Sequence, residues 1–216
     1  MTWDKPVGPR TAFAQTKGLE PNTLYHVEGR GDFYTDANGT ARYVDTHWGT
    51  TGARNPDLQK PAPDATYVIH RGDDTYVYQT DSQSRTILAA MDNYRPVAGG
   101  VRSDSISTKI GHLGGSDYQG GHLIAASRGA GADDIGTVPQ LTSLNTGGGD
   151  YWQMEKDLND MWTHLQKASP GSTIDFKVTL DYTGDSKVPD VFHVSYRVDG
   201  GEWKEGDMPN VLWFAW

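Results

Sequence analysis

Gln119-Gly120-Gly121-His122-Leu123-Ile124-Ala125-Ala126 is followed, after a Gly/Asp-rich loop, by Val138-Pro139-Gln140-Leu141-Thr142-Ser143-Leu144-Asn145 and a helix-like run containing Glu155. A titratable imidazole, a neutral carboxamide and a carboxylate thus lie within a few dozen residues, joined by the glycines that a tight strand-turn-helix unit needs. These are the parts of a one-metal phosphodiester-cleaving site. Such chemistry requires a base to deprotonate water, charge to offset the crowded phosphoryl oxygens, and a Lewis acid on the leaving 3′ oxygen.

His122 suits the base, because imidazole titrates near neutrality and offers a neutral fraction at working pH without extreme burial. Its competing role is that of a strand histidine satisfied by a backbone carbonyl. Asn145 offers a carbonyl oxygen suited to a hard ion such as Mg²⁺, which keeps most of its waters; otherwise it is a turn residue ahead of Gly147-Gly148-Gly149. Glu155 falls one helical turn after Tyr151, on the flank of an apolar stripe, where it can lean inward to hold metal-bound waters or else face solvent. Arg128 can donate two hydrogen bonds to phosphate oxygens and offset developing charge.

The ordered set resembles the DNA/RNA non-specific endonuclease family, whose catalytic element is the ββα-metal (His-Me) finger, and in particular the branch found as toxin domains of bacterial secreted proteins. That branch reads approximately Asp-x-Gly-His-Leu-Ile-Ala, then Val-Pro-Gln, then Leu-Asn, then a helix with Glu. The match runs from Gln119 to about Lys167, with a continuation through residues 189–198, about a third of the chain. The resemblance implies His122 as general base, Asn145 as direct metal ligand and Glu155 as the group behind the metal's waters. It also implies one divalent ion, Mg²⁺ with Mn²⁺ as the alternative, and products with 5′-phosphate ends. Gln119 stands where the family often has Asp and Gly120 where some members have Arg, and the interval from Asn145 to Glu155 is slightly longer than usual. Arg95 and Lys109 are candidate substitutes for the missing cation. Gln140 of the Val-Pro-Gln segment, Arg95 and Arg128 are the expected substrate contacts.

The elements that must position these groups read as α+β: a twisted antiparallel sheet with a ββα-metal element and long loops. Residues 23–28, 32–35 and 41–46 form a meander, and residues 66–70 and 75–79 flank a turn as a second hairpin. Residues 85–91 are a buried strand, and residues 96–121 are a Gly/Ser-rich crossing that delivers the chain to His122. A strand ending near Asn145 leads to a helix from Asp150, as N-cap, to about Lys167, with Tyr151, Met154, Leu158, Met161 and Leu165 at helical spacing. Alternation at Ile174–Tyr182 and Phe192–Val198 marks two strands, and the run 211–216 is expected to pack back on the core. One domain is expected over 1–216, with a β-rich part at about 20–100, the ββα element at about 117–168 and C-terminal strands at about 172–216.

Zero cysteines leave only O and N ligands for any metal. The net charge of −9, with 7 basic against 15 acidic residues in 111–216, opposes tight phosphate binding and predicts weak, salt-sensitive association. No apolar run approaches membrane-spanning length. Met1-Thr2-Trp3-Asp4-Lys5 carries no signal-peptide pattern, so the expectation is an excised domain with an added start Met. Trp152, Trp162 and the C-terminal tryptophans read as core or interface residues in preference to base-stacking platforms. His112 with His122 lacks a third ligand at zinc spacing.

The functional expectation is therefore a sequence-non-specific endonuclease acting on DNA and/or RNA. By resemblance it is the toxin domain of a secreted or delivered bacterial effector, acting in the target-cell cytoplasm and blocked by a cognate immunity protein. The rival expectation is a non-catalytic glycan- or protein-binding module on a degenerate nuclease scaffold.

Overall fold

The computed structural model describes residues 1–50 and 52–212. Its strands are β1 (Leu24–Val27), β2 (Gly31–Thr35), β3 (Ala41–His47), β4 (Thr66–Arg71), β5 (Asp74–Thr80), β6 (Thr86–Met91), β7 (Tyr118–His122), β8 (Thr137–Leu141), β9 (Ile174–Asp181), β10 (Val191–Val198) and β11 (Lys204–Pro209). Its helices are α1 (Pro56–Gln59), α2 (Asp104–Gly111), α3 (Thr142–Asn145) and α4 (Asp150–Ala168). Nine strands form one sheet in the order β1-β2-β3-β4-β5-β6-β9-β10-β11, and β7 and β8 form a separate antiparallel pair. The fold class is α+β, as the alternation in the hairpins and the single long amphipathic run require. One pair departs from the antiparallel expectation: β3 and β4 are parallel. A parallel pair needs a crossover, and residues 48–65 supply it, with Trp48 and Leu58 buried along the way.

Alternate side chains of β4, β5, β9 and β10 enter the core, among them Tyr67, Ile69, Tyr76, Tyr78, Phe176, Val178, Leu180 and Phe192. From α4, Tyr151 and Leu158 join the same cluster, with Met154, Met161, Trp162 and Leu165 packed at its margin. Two of the aromatic hydroxyls inside this core serve the site. Tyr151 donates to the Leu123 carbonyl at 2.7 Å and Tyr76 to the Arg128 carbonyl at 2.6 Å, pinning both ends of the segment that leaves His122. A buried phenol finds its acceptor there, and the loop loses its freedom.

Residues 96–121 are not a plain crossing. They contain α2, capped by the Ser103 side chain, which accepts from the Ile106 amide, and buried through Ile106 and Ile110. The helix lies against β7 because two glycines permit it: a Cβ on Gly111 would stand 2.6 Å from the Gln119 Cα, and one on Gly120 would stand 2.6 Å from the Ser107 Cα. The strand expected to end near Asn145 stops at Leu141, and the chain turns once through α3. Asp150 is the first residue of α4 and Gly149 its N-cap, because a Cβ there would meet the Ser143 and Leu144 carbonyls at 2.2 and 2.4 Å.

The edge strand β11 escapes the alternation rule, since Lys204-Glu205-Gly206-Asp207-Met208-Pro209 has no apolar face. It is held by its ladder to β10 and by His193, whose ring nitrogens lie 2.9 Å from Asp181 and 2.7 Å from Asp207. Of the terminal run expected to pack back, residues 213–216 lie outside the described residues, and Leu212 is 44% exposed. No helix among the described residues is long and apolar enough to cross a membrane.

Asn210, wholly buried, fastens the small sheet to the large one. Its Oδ1 accepts from the Leu141 amide at 2.7 Å, and its Nδ2 donates to the Pro139 and Pro189 carbonyls at 3.1 and 2.8 Å. Asn210→Ala strands these partners in a dry environment, and we expect a loss of about 3 kcal/mol in urea unfolding. A change below about 1 kcal/mol would mean that water substitutes for the amide.

Candidate active site

His122 ends β7, paired with Thr137 on β8. Gly121 before it admits the Gln140 side chain, whose Oε1 lies where a Cβ would stand 1.8 Å away. After it, the Leu123 amide donates to the Gly136 carbonyl at 2.9 Å, so the imidazole is presented at the end of a pinned hairpin. Asn145 closes α3, and Glu155 lies on the second turn of α4. All three side chains line one cleft of about 330 Å³, together with Arg102, Ser103 and Trp152.

Burial sets the electrostatics of this cleft. Desolvation pushes the His122 pKa down to about 4, the Arg102 guanidinium adds to the depression, and the Val101 backbone opposes it. The ring is therefore neutral at physiological pH, and its buried Nε2 has no hydrogen-bond partner. Desolvation pushes Glu155 up to about 7, against the pull of Arg102 and Arg128. A half-buried carboxylate with no hydrogen bond among its stabilising influences is a group short of a cation. Among the described residues, no group of three or more His, Cys, Asp and Glu side chains is placed to hold a metal. The available donor set is instead mixed: the Asn145 amide oxygen, the Glu155 carboxylate and the His122 ring nitrogen, with Asp104 and Gln119 also on the cleft lining. That suits a hard ion which retains much of its hydration, and the orphaned Nε2 fits a role toward water or substrate beside it.

Three expected contacts lie elsewhere. Arg128 is 3% exposed and does not line the cleft; its guanidinium carbon stacks 4.7 Å from the Tyr94 ring centroid, and Nη2 donates to Asn159 at 2.8 Å. It acts on Glu155 from within the protein, and its Nε and Nη1 are buried without hydrogen-bond partners. Gln140 is 0% exposed beneath Gly121, its carboxamide closed off from the cleft. The Arg95 Nη2 is spent on both oxygens of Asp74, at 2.9 and 3.1 Å, because β5 presents that carboxylate beside it. Lys109 pairs with Asp134.

Two cleft residues were not anticipated. Arg102 supplies the cation for which Arg95 and Lys109 were candidates; it precedes the α2 cap, and recognising it requires recognising that helix. Trp152, read as core or interface, is 40% exposed and borders the cleft. Arg54 reaches in from the crossover, donating to the Ser103 Oγ at 2.7 Å and to the Ala132 carbonyl at 2.9 Å, and so ties down the turn that carries Arg102.

A family model described as DNA/RNA non-specific endonuclease matches residues 63–200. The chain belongs to this family. The family is one of endonucleases, hydrolases of phosphodiester bonds. Among curated relatives, the type VII secretion system protein EssD of Staphylococcus aureus is 27% identical over 128 residues, covering 58% of this chain. The chain spans 20% of the length of that relative. Among solved structures, magnesium-bound NucA from Streptococcus agalactiae is similar at 15% identity, covering 72% of this chain and 89% of its own, with a TM-score of 0.42. A protein described as an extracellular nuclease is similar at 17% identity, covering 63% and 85%, with a TM-score of 0.45.

The signs of these shifts can be read by NMR. The His122 resonances should stay those of a neutral ring until the pH falls toward about 4, whereas an exposed histidine titrates near about 6.5. Arg102→Ala removes a cation that depresses both groups, so the pKa values of His122 and Glu155 should both rise. A His122 ring that titrates at about 6 to 7 in the unaltered chain would contradict the buried geometry.

Proposed function

We propose that the chain is a single metal-dependent nuclease domain that cleaves DNA and/or RNA without sequence preference, with His122 as general base and Asn145 and Glu155 as the metal-binding groups. The carrying observation is that a neutral imidazole with an unpartnered Nε2, a free carboxylate, a carboxamide and a guanidinium line the same cleft in a chain of this family. When bound, a divalent ion, Mg²⁺ or Mn²⁺, held by Asn145 with Glu155 orienting its waters, supplies Lewis-acid stabilisation of the phosphoryl oxygens and the leaving oxygen.

His122 takes the proton of the attacking water as its oxygen bonds to phosphorus. The bond from phosphorus to the 3′ oxygen breaks, leaving a 5′-phosphate and a 3′ hydroxyl whose proton comes from solvent. An imidazole with a pKa of about 4 is available at neutrality but is a weak acceptor. An anionic phosphate beside the ring offsets the Arg102 contribution and makes His122 a better acceptor, against the burial that is the larger cause of the depression. Arg102 replaces Arg128 as the group that meets the non-bridging oxygens. Since these groups address phosphate and not base edges, discrimination between sequences is slight.

The relationship to a type VII secretion protein supports a wider role: a toxin domain exported by a bacterium, acting in the cytoplasm of a target cell and neutralised in the producer by an immunity protein that blocks the cleft. The net charge of −9 suits weak substrate binding, relieved of the need for tight ground-state association.

A plasmid-nicking assay tests the catalytic assignment. The unaltered chain should nick with Mg²⁺ and stop with EDTA, and His122→Ala should lower the rate about 10²- to 10⁴-fold. Asn145→Ala should raise the half-activating Mg²⁺ concentration about 10- to 100-fold, with activity recovered at higher metal. Cleavage indifferent to EDTA, or a His122→Ala variant as fast as its parent, would overturn the reading.

A further inference from the structure

We infer that Trp152 is a base-stacking platform beside the scissile phosphate and makes single-stranded nucleic acid the preferred substrate, an inference that rests on the nuclease reading of the same cleft. Five tryptophans fall within the described residues, and four have visible partners. Trp48 is buried against Tyr76 and Tyr78, Trp3 packs on Phe13 and Tyr25, Trp162 lies against the core, and Trp203 is covered by Lys177 and Arg197. Trp152 has neither an aromatic nor a cationic partner among the described residues and is 40% exposed. An indole left open to water costs solvation free energy, and this one borders the cleft that holds His122 and Glu155.

Its place on α4 aims it at the site. Trp152 is three residues before Glu155, so the two side chains share one helix face, with the indole on the turn nearer Asn145. The rest of the cleft is polar, with Arg102 as its cationic lining residue in a chain of net charge −9. Counterion release cannot supply much affinity there, whereas stacking depends on neither charge nor base identity. In a duplex the faces of each base are covered by its neighbours; in a single strand a base next to the cleaved phosphate is free to turn onto the indole. The platform therefore favours unpaired over paired substrate without choosing a sequence.

Steady-state cleavage of one labelled oligonucleotide, presented single-stranded, as a duplex, and single-stranded with abasic positions, tests this. Trp152→Ala should raise KM for the single strand about tenfold or more, with a clearly smaller effect on the duplex and on kcat, and Trp152→Phe should recover most of the loss. On the abasic strand the parent and Trp152→Ala should be alike. Equal effects on single strand and duplex, no effect on either, or an alanine defect that persists on the abasic strand would each overturn the platform while leaving the nuclease intact. A parent chain that cleaves none of the three would remove the nuclease reading and the platform with it. Because the indole is only 40% exposed, thermal unfolding of both variants is recorded alongside, and recovery by Trp152→Phe on the single strand separates stacking from lost packing.

Discussion

The structure turns on the partial dehydration of one imidazole and one carboxylate in a shared cleft. Burial favours the neutral form of both, holding His122 as a free base and leaving Glu155 with an unmet demand for positive charge. Neither state is a property of the isolated residue. Each follows from the close approach of α2 to β7 over Gly111 and Gly120, and from the tight corner at Gly149 that swings α4 alongside the hairpin. Larger side chains at these positions would push the elements apart and let water in. The cost of partly dehydrating two ionisable groups is offset by the aromatic core beneath, where Tyr76 and Tyr151 are both packed and hydrogen-bonded to the segment leaving His122.

Residues outside the matched span 63–200 take part in holding the cleft. Arg54, in the crossover between β3 and β4, is bound to the Ser103 cap and thereby to the turn that carries Arg102. Nearby, the buried Asp57 accepts the Ala14 amide at 2.8 Å, and burial pushes its pKa up to about 6. Asn210, near the other end of the chain, joins β8 to the tail of the large sheet. The site is thus gripped from both sides by contacts that a match to the central region does not include. Loss of either grip would first change the placement of Arg102 or of the hairpin, and only then the chemistry.

Much of this was legible in the residues. The hairpins showed themselves by alternation and α4 by its apolar spacing, while His122, Asn145 and Glu155, singled out by the resemblance of their ordered motif to the family, line one cleft. What stayed hidden depended on tertiary packing. The eight residues of α2 are too few to show a period, and they sit among glycines and serines that serve caps and close approach, so Arg102 had no visible context. The strand β11 carries polar residues on both faces because it is an exposed edge, and pattern alone cannot find such a strand. Arg128 looked like a phosphate ligand from its place after the histidine motif, yet the turn closed by the Arg128 amide on the Ala125 carbonyl sends its side chain inward to Tyr94 and Asn159. Trp152 erred the other way, because a large aromatic in an amphipathic helix is normally core, and only its position relative to the cleft reveals that it is not.

The central claim is that Asn145 and Glu155 converge on one hard divalent cation beside a neutral His122. Anomalous diffraction from crystals soaked in Mn²⁺ tests it most directly. The account predicts a single strong peak in the cleft, in contact with the Asn145 carboxamide oxygen and within one water of the Glu155 carboxylate. A peak held by other residues, or none in this cleft at Mn²⁺ concentrations that support cleavage, would contradict it.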